Sequence, residues 1–414
     1  MSKSKILVVG GTGYIGKRIV KASLAQGHPT YVLMRREIGF DIEKIQTLLS
    51  FKEQGARLVE GSFFDHQSLV DAVKQVDVVI CTMAGVQFRS HNILLQLKLV
   101  DAIKEAGNIK RFVPSEFGID PSRMGHALEI GKETFGDKMI VRKAIEDAEI
   151  PHTYISANCF GGYFVGNLSQ VDSLMPPRDR VYIYGDGNRK GNYLSEVNRT
   201  QGIFYEMKPT VLRMIRNRTL LVTIMVMLWQ SDPLTESLEA ATPHLHGSDA
   251  LAKFVDPALK GLSSLSPSSD HPCRSGGLGL TCGRTEMSNR TAAVFMDEDD
   301  VATYTIKTID DPRMLNKTLY LRPQENILTH NQLVEKWEKL TDKTLEKVHL
   351  SAQDFLASMK GVDIALQAGF ARVYQIYYEG CLMNFEIGEG GEEASKLYPE
   401  VRYTRVHEYL QRYL

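Results

Sequence analysis

The chain has 414 residues, of which 43% are hydrophobic and 24% charged, with a formal net charge of -1 at neutral pH. That length holds one large or two ordinary domains with ample core, and the balanced charge excludes the basic footprint expected of a partner for nucleic acid or an anionic membrane. Five cysteines, Cys81, Cys159, Cys273, Cys282 and Cys381, are scattered without metal-ligand spacing, so they read as reduced thiols and no metal site is expected. Met1-Ser-Lys-Ser precedes the first apolar run with no signal-peptide pattern, which makes a cytoplasmic location the expectation.

Ile6 to Val9 form an apolar, largely β-branched run without polar alternation, the pattern of a parallel strand covered on both faces. Gly10-Gly-Thr-Gly-Tyr-Ile-Gly16 follows and opens a helix with Ile15, Ile19 and Ala22 on one face. Glycines at these positions permit a tight turn, close approach of a pyrophosphate to the backbone, and close packing of helix on strand. A lone G-x-x-G-x-x-G is weak evidence, but here it has the strand–turn–helix context that dinucleotide binding requires. Gly10, Gly11, Thr12, Gly13, Tyr14, Ile15 and Gly16 are therefore the candidate cofactor contacts.

Thr30 to Met34 is the second strand. An NAD enzyme would carry an acid at its end for the ribose 2′-hydroxyl; Arg35 and Arg36 stand there instead and favour the 2′-phosphate of NADPH. Lys44 either adds positive charge at the adenosine end or is a solvated helix lysine. Arg57 to Glu60, Asp77 to Thr82 and Arg111 to Val113 continue an alternation of strands and helices, so the expected fold is α/β, a Rossmann-type doubly wound parallel sheet. Gln87 and Ser90, in the loop leaving the fourth strand, are positioned to reach the cofactor or simply to shape the loop.

A helix is predicted over Phe135 to Glu146, with Met139, Val141 and Ala144 inward and Lys138 and Arg142 stacked four apart. Either this is a solvated basic face, or both cations enter a cleft, where Arg142 would bind the anionic cofactor and depress the pKa of Lys138. Beyond the strand Thr153 to Ser156, Asn158, Phe160 and Tyr163 either line a ligand slot or pack as core.

From Lys5 to Asn188, and again from Val294 onward, the chain resembles the plant NADPH-dependent reductases that include pinoresinol–lariciresinol, isoflavone and phenylcoumaran benzylic ether reductases, an NmrA-like, atypical short-chain reductase group. The carrying residues are Val8 to Gly16, Arg111-Phe-Val-Pro-Ser-Glu-Phe-Gly118, Arg123-Met-Gly-His126, Lys138-Met-Ile-Val-Arg142, Asn167-Leu-Ser-Gln170, Ile183-Tyr-Gly-Asp-Gly187 and Asn384-Phe-Glu-Ile387. Phe88 to Leu94, Arg123 to His126 and Tyr378-Glu-Gly-Cys-Leu382 are most similar to the pinoresinol–lariciresinol branch. The resemblance implies Lys138 as general base, Arg142 and Asn158 at NADPH, Met124, Phe160 and Tyr163 beside a lignan substrate, and a smaller α/β lobe closing the cleft. A homodimer is compatible with it. No Tyr here is followed four residues later by Lys, as in ordinary short-chain reductases. Where the family often has His before Tyr378, this chain has Arg372, Tyr374 and Gln375.

The implied domains are residues 1–158 for NADPH, then 159–190 with 293–414 for the substrate lobe, some of which returns to the main sheet. Residues 191–292 resemble nothing in the family. They hold the apolar run Leu220 to Trp229, too short to span a bilayer alone, and a Ser-, Gly- and Pro-rich stretch from Leu262 to Thr291. They read as a retained intron or faulty gene model, with a genuine interaction insert as the alternative. Asp297 to Asp300 is expected to open a helix, Leu319 to Leu321 to be a strand, and Asn326 to Leu340 and Ser351 to Met359 to be helices, the last capped by Ser351 and Asp354. Rival functions are an isoflavone or phenylcoumaran reductase and a non-catalytic NADPH-binding regulator; a lysine base argues against the regulator.

Overall fold

In the computed structural model, the described residues are 3–35, 41–83, 93–125, 127–171, 173–188 and 292–414. Strand β1 (Ile6–Val9) lies between β2 (Thr30–Met34) and β4 (Val78–Cys81), with β3 (Arg57–Glu60) and β5 (Arg111–Val113) outside them, giving the parallel order β3-β2-β1-β4-β5. The sheet continues through a bridge from Phe112 to His152 into β6 (Thr153–Ser156), β10 (Lys317–Tyr320) and β13 (Gly391–Glu393), also parallel. Residues of the later chain thus pair alongside the first sheet.

Alternation along β1 explains why the sheet needs helices on both faces. Ile6 and Val8 join one core cluster with Ile19 and Val20 of α1 (Gly16–Ala25), Leu48 and Phe51 of α2 (Ile42–Glu53), and Val301 and Tyr304 of the helix Glu298–Thr308. Leu7 and Val9 join another with Leu69 and Val70 of α3 (His66–Val73), Leu99 and Val100 of α4 (Gln96–Ala106), and Val141 and Ile145 of α5 (Glu129–Asp147). All four β1 residues are buried, each contributing about 1.5–3 kcal/mol of transfer free energy. A polar residue at any of them would meet hydrocarbon on either side.

The smaller lobe contains β7 (Cys159–Phe160), β9 (Ala293–Met296) and β11 (Ile327–Leu328) in one ladder, and β8 (Arg180–Tyr184) paired in parallel with β12 (Glu346–Leu350) in another. Asp297 caps the helix Glu298–Thr308 as expected, and Ser351 caps Ala352–Ser358. The helix predicted from Asn326 begins at His330 instead. Thr329 and Gln332 form its capping box, and the preceding residues are a 3-10 turn and β11.

Helix α5 starts earlier than its apolar spacing suggested and is broken at Ile130 and Gly131, the latter at φ 85°. Phe135, Val141, Arg142 and Ile145 face inward, whereas Met139 is 39% exposed rather than packed. Cys81, Cys159 and Cys381 are free and buried. Among the described residues no helix is long and apolar enough to cross a membrane, and no cluster suits a metal ion.

Candidate active site

The glycine turn leaves β1 at the carboxyl edge of the sheet. Gly10 adopts φ 81°, a conformation that favours glycine, and its carbonyl accepts from Gly13 N–H at 2.9 Å. A Cβ on Gly16 would stand 2.1 Å from the Gly10 oxygen, so the start of α1 can approach the strand only without a side chain there. No side chain caps the N-terminus of α1 and no acid lies in its first turn. A tight glycine turn, backbone donors and an uncapped positive helix end together suit a pyrophosphate, so the fold is fitted to hold a dinucleotide. Arg35 lies exposed just past β2, on the edge where the adenosine ribose of such a ligand sits. Lys44 is spent on its own helix cap, pairing with Asp41. Arg36, Gln87 and Ser90 lie outside the described residues.

Tyr14 leaves the turn towards the lobe. Its ring stacks on Tyr163 with centroids 5.1 Å apart and lies 6.2 Å from Phe160. Its hydroxyl donates to Glu298 Oε1 at 2.7 Å. Glu298, fully buried, also accepts from Gly162 N–H at 2.9 Å and the Tyr409 hydroxyl at 3.2 Å. Burial, reinforced by the Glu298 carboxylate, holds the Tyr14 phenol well above its ordinary pKa, so it stays a donor. Phe160 and Tyr163 thus touch the glycine turn; Phe160 is core, while Tyr163 remains 55% exposed. Glu298 looked like one of several helix-end acids in the sequence, where nothing marks its distant partners.

The second part of the site is built by the loop after β5. Glu116 is buried and receives Arg142 through two bonds, Nε to Oε1 at 2.7 Å and Nη2 to Oε2 at 2.5 Å. Arg142 Nη2 also lies 3.1 Å from Asp120 Oδ1, and its guanidinium covers the Tyr154 ring. Asp120 further accepts from the Tyr320 hydroxyl at 2.6 Å. Burial disfavours the Arg142 charge, but Glu116 and Asp120 outweigh it and raise its pKa above the ordinary arginine value. The same cluster keeps Asp120 ionised: burial pushes its carboxyl up, and Arg142, Tyr320 and Ser122 together bring it below its usual value. Arg142, expected at the cofactor, is held by these two buried carboxylates through Nε and Nη2.

Lys138, one turn earlier on α5, donates from Nζ to the Glu116 carbonyl at 2.6 Å. Its pKa falls to about 8, chiefly through burial; Glu116 opposes this, Arg372 and Arg142 add to it, and Asp120 opposes it more weakly. The lysine is therefore a half-buried amine able to change protonation state near neutral pH.

Two other expected contacts, Asn158 and Met124, are buried. Asn158 adopts φ 58° and donates from Nδ2 to the Leu321 carbonyl at 2.6 Å, tying the end of β6 to the chain leaving the strand beside it. Met124 is 1% exposed, sealed beneath the turn that ends at Arg123. Met124 does not betray its burial in the sequence, since it stands among polar neighbours.

This arrangement defines a dinucleotide-dependent oxidoreductase, with a phosphate cradle and a near-neutral amine. The chain belongs to the NmrA-like family, which it matches over residues 2–190 and 257–410. It is 54% identical over 414 residues to an isoflavone reductase homolog from Lupinus albus, covering all of both chains. A bifunctional pinoresinol-lariciresinol reductase from Linum perenne is 51% identical over 416 aligned residues, again with full coverage of both. Among solved structures, AtPrR2 with NADP+ and (+)-pinoresinol superposes with a TM-score of 0.73 at 46% identity, covering 100% of each chain.

Removing the cation from the buried cluster tests its structural weight. Arg142→Met should cost on the order of 3–5 kcal/mol in chemical denaturation by leaving the carboxylates unpaired. Adding Glu116→Gln should recover part of that loss. A loss below about 1 kcal/mol would place the pair among dispensable ion pairs.

Proposed function

We propose that this chain is an NADPH-dependent reductase of furofuran lignans, converting pinoresinol to lariciresinol and accepting lariciresinol as a second substrate. The observation that carries the reading is the half-buried, low-pKa Lys138 beside the loop at the sheet's carboxyl edge. The lignan reductases among its relatives and the pinoresinol-bound structural neighbour support it. An isoflavone reductase homolog stands among the same relatives, but a lysine base is demanded more directly by a substrate that must lose a phenolic proton.

A furofuran lignan carries a free phenol para to a benzylic ether carbon. Lys138, as a neutral amine, accepts the phenolic proton, and the resulting phenolate expels the ether oxygen to give a quinone methide. The leaving alkoxide takes up a proton from solvent, and the phenolate regenerated once the benzylic carbon is reduced takes back the proton held by Lys138, so one solvent proton is consumed per turnover. Bound NADPH supplies the hydride that reduces the electrophilic benzylic carbon. Gly10, Gly13 and Gly16 keep the cradle open to its pyrophosphate, and Arg35 faces its 2′-phosphate. Tyr163, half exposed and stacked on Tyr14, supplies an aromatic wall where the cradle meets the lobe. Reduced, buried Cys81, Cys159 and Cys381 fit a cytosolic setting.

We also propose that residues 191–292 are not needed for the reductase fold. On one side, Asn188 accepts from the Thr329 hydroxyl at 3.1 Å; on the other, Ala293–Met296 is fully buried. The family match resumes at residue 257, so two deletions, 191–256 and 191–292, each closed by a short flexible linker, separate the alternatives. Soluble, active protein from the longer deletion supports the proposal; activity only from the shorter one assigns 257–292 to the enzyme.

Arg35→Asp should weaken NADPH binding by at least tenfold more than NADH binding, measured by cofactor fluorescence titration; equal losses would remove Arg35 from the 2′-phosphate. Lys138→Ala should lower turnover of pinoresinol by about 10²–10⁴-fold while NADPH still binds. In the unaltered enzyme kcat/KM should rise with pH through about 8 as the amine loses its proton. Near-normal turnover in the alanine variant would defeat the mechanism.

A further inference from the structure

Arg372 lies on the helix Ile364–Tyr377 of the lobe, and its side chain reaches across to α5. Nη2 donates to the Gly131 carbonyl at 2.8 Å, at the break that starts the regular part of α5. Nη1 donates to Gln375 Oε1 at 3.1 Å. The guanidinium carbon lies 3.7 Å from the centre of the Phe135 ring. Phe135 is one turn before Lys138, so a single side chain grips α5 both at its kink and on the turn leading to the amine. Close packing reinforces the grip: a Cβ on Gly131 would stand 3.6 Å from that of Ala368.

We propose that Arg372 is a positioning residue for the reductase reaction, pinning the kinked start of α5 to the lobe and placing a fixed positive charge beside Lys138. The proposal rests on the reading of Lys138 as general base. The charged groups acting on that amine come from every element around it: Glu116 from the loop after β5, Asp120 from the following turn, Arg142 from α5 itself and Arg372 from the lobe helix. The two carboxylates favour the ammonium form, but both are engaged by Arg142. Among the described residues Arg372 makes no ion pair; its partners are a carbonyl, an amide oxygen and a ring. Its charge therefore acts on Lys138 with little neutralisation. Burial brings the Arg372 guanidinium down to about 10, which still leaves it charged at neutral pH.

The sign follows directly. A cation beside an amine favours the neutral amine, so removing it raises the pH at which Lys138 loses its proton. The test reads Lys138 itself: competitive acetylation with acetic anhydride across pH, quantified at the Lys138 peptide by mass spectrometry, in the full chain and its variants. Arg372→Gln and Arg372→Met, the latter keeping an apolar contact with Phe135, should raise the acetylation midpoint by ~1 pH unit, the order of effect of a nearby like charge. The rising limb of kcat/KM should move the same way. Arg372→Lys, which restores the charge without the fork, should bring the midpoint back towards the original. Whichever charge-removing variant retains cooperative unfolding decides the matter, and if neither does, an Arg372→Lys midpoint equal to the original supports the charge effect and a displaced one overturns it. An unmoved midpoint in a folded Gln or Met variant overturns the proposal while leaving the reductase reading intact. Absence of turnover in the unaltered protein would defeat that reading without touching the labelling result.

Discussion

Glu116 is the residue on which the candidate active site depends, because its two ends are used for different tasks. Its carboxylate receives Arg142, and its carbonyl receives the Lys138 amine. A buried bidentate pair is a weak source of net stability compared with hydrocarbon packing, but breaking one is costly, so it fixes geometry strongly. Here the fixed geometry is that of α5 against the loop after β5, and the amine is placed by a backbone atom that the pair holds still. Asp120 extends the same cluster to Tyr320 on β10, so the returning part of the chain is bound into it.

Glu298 performs a comparable service for the cofactor side. It is fully buried, and its carboxylate gathers Tyr14 from the glycine turn, Gly162 from the lobe and Tyr409 near the chain end. Movement of the glycine turn on dinucleotide binding must therefore be shared with the lobe through Tyr14 and the rings stacked on it. Two buried acids thus tie the glycine turn and α5 to parts of the chain distant in sequence.

The sheet and its phosphate cradle were legible because they depend on local rules. Unbroken apolar runs mark strands covered on both faces, and Gly10 and Gly16 are required by a positive φ and a 2.1 Å approach that any side chain would violate. Lys138 was legible through family likeness, and its spacing from Arg142 correctly put both on one face. What spacing could not tell was the partner of that face, since Glu116 arrives from another element. The burial of Asn158 and Met124 was hidden for a related reason: local sequence says nothing about the strand or turn that comes to cover a residue. The reach of Arg372 to the broken start of α5 was not legible in the sequence, since Gly131 and Phe135 come from another element.

The central claim is that a free phenol must surrender its proton to Lys138 before the benzylic ether opens. The most direct measurement compares NADPH oxidation by the purified chain with pinoresinol and with the same lignan methylated on both phenols. The account predicts turnover of the first, with lariciresinol as product, and none of the second, although the methylated compound should still compete for the site. Comparable reduction of the methylated lignan would contradict it, because no base is then needed to expel the ether oxygen.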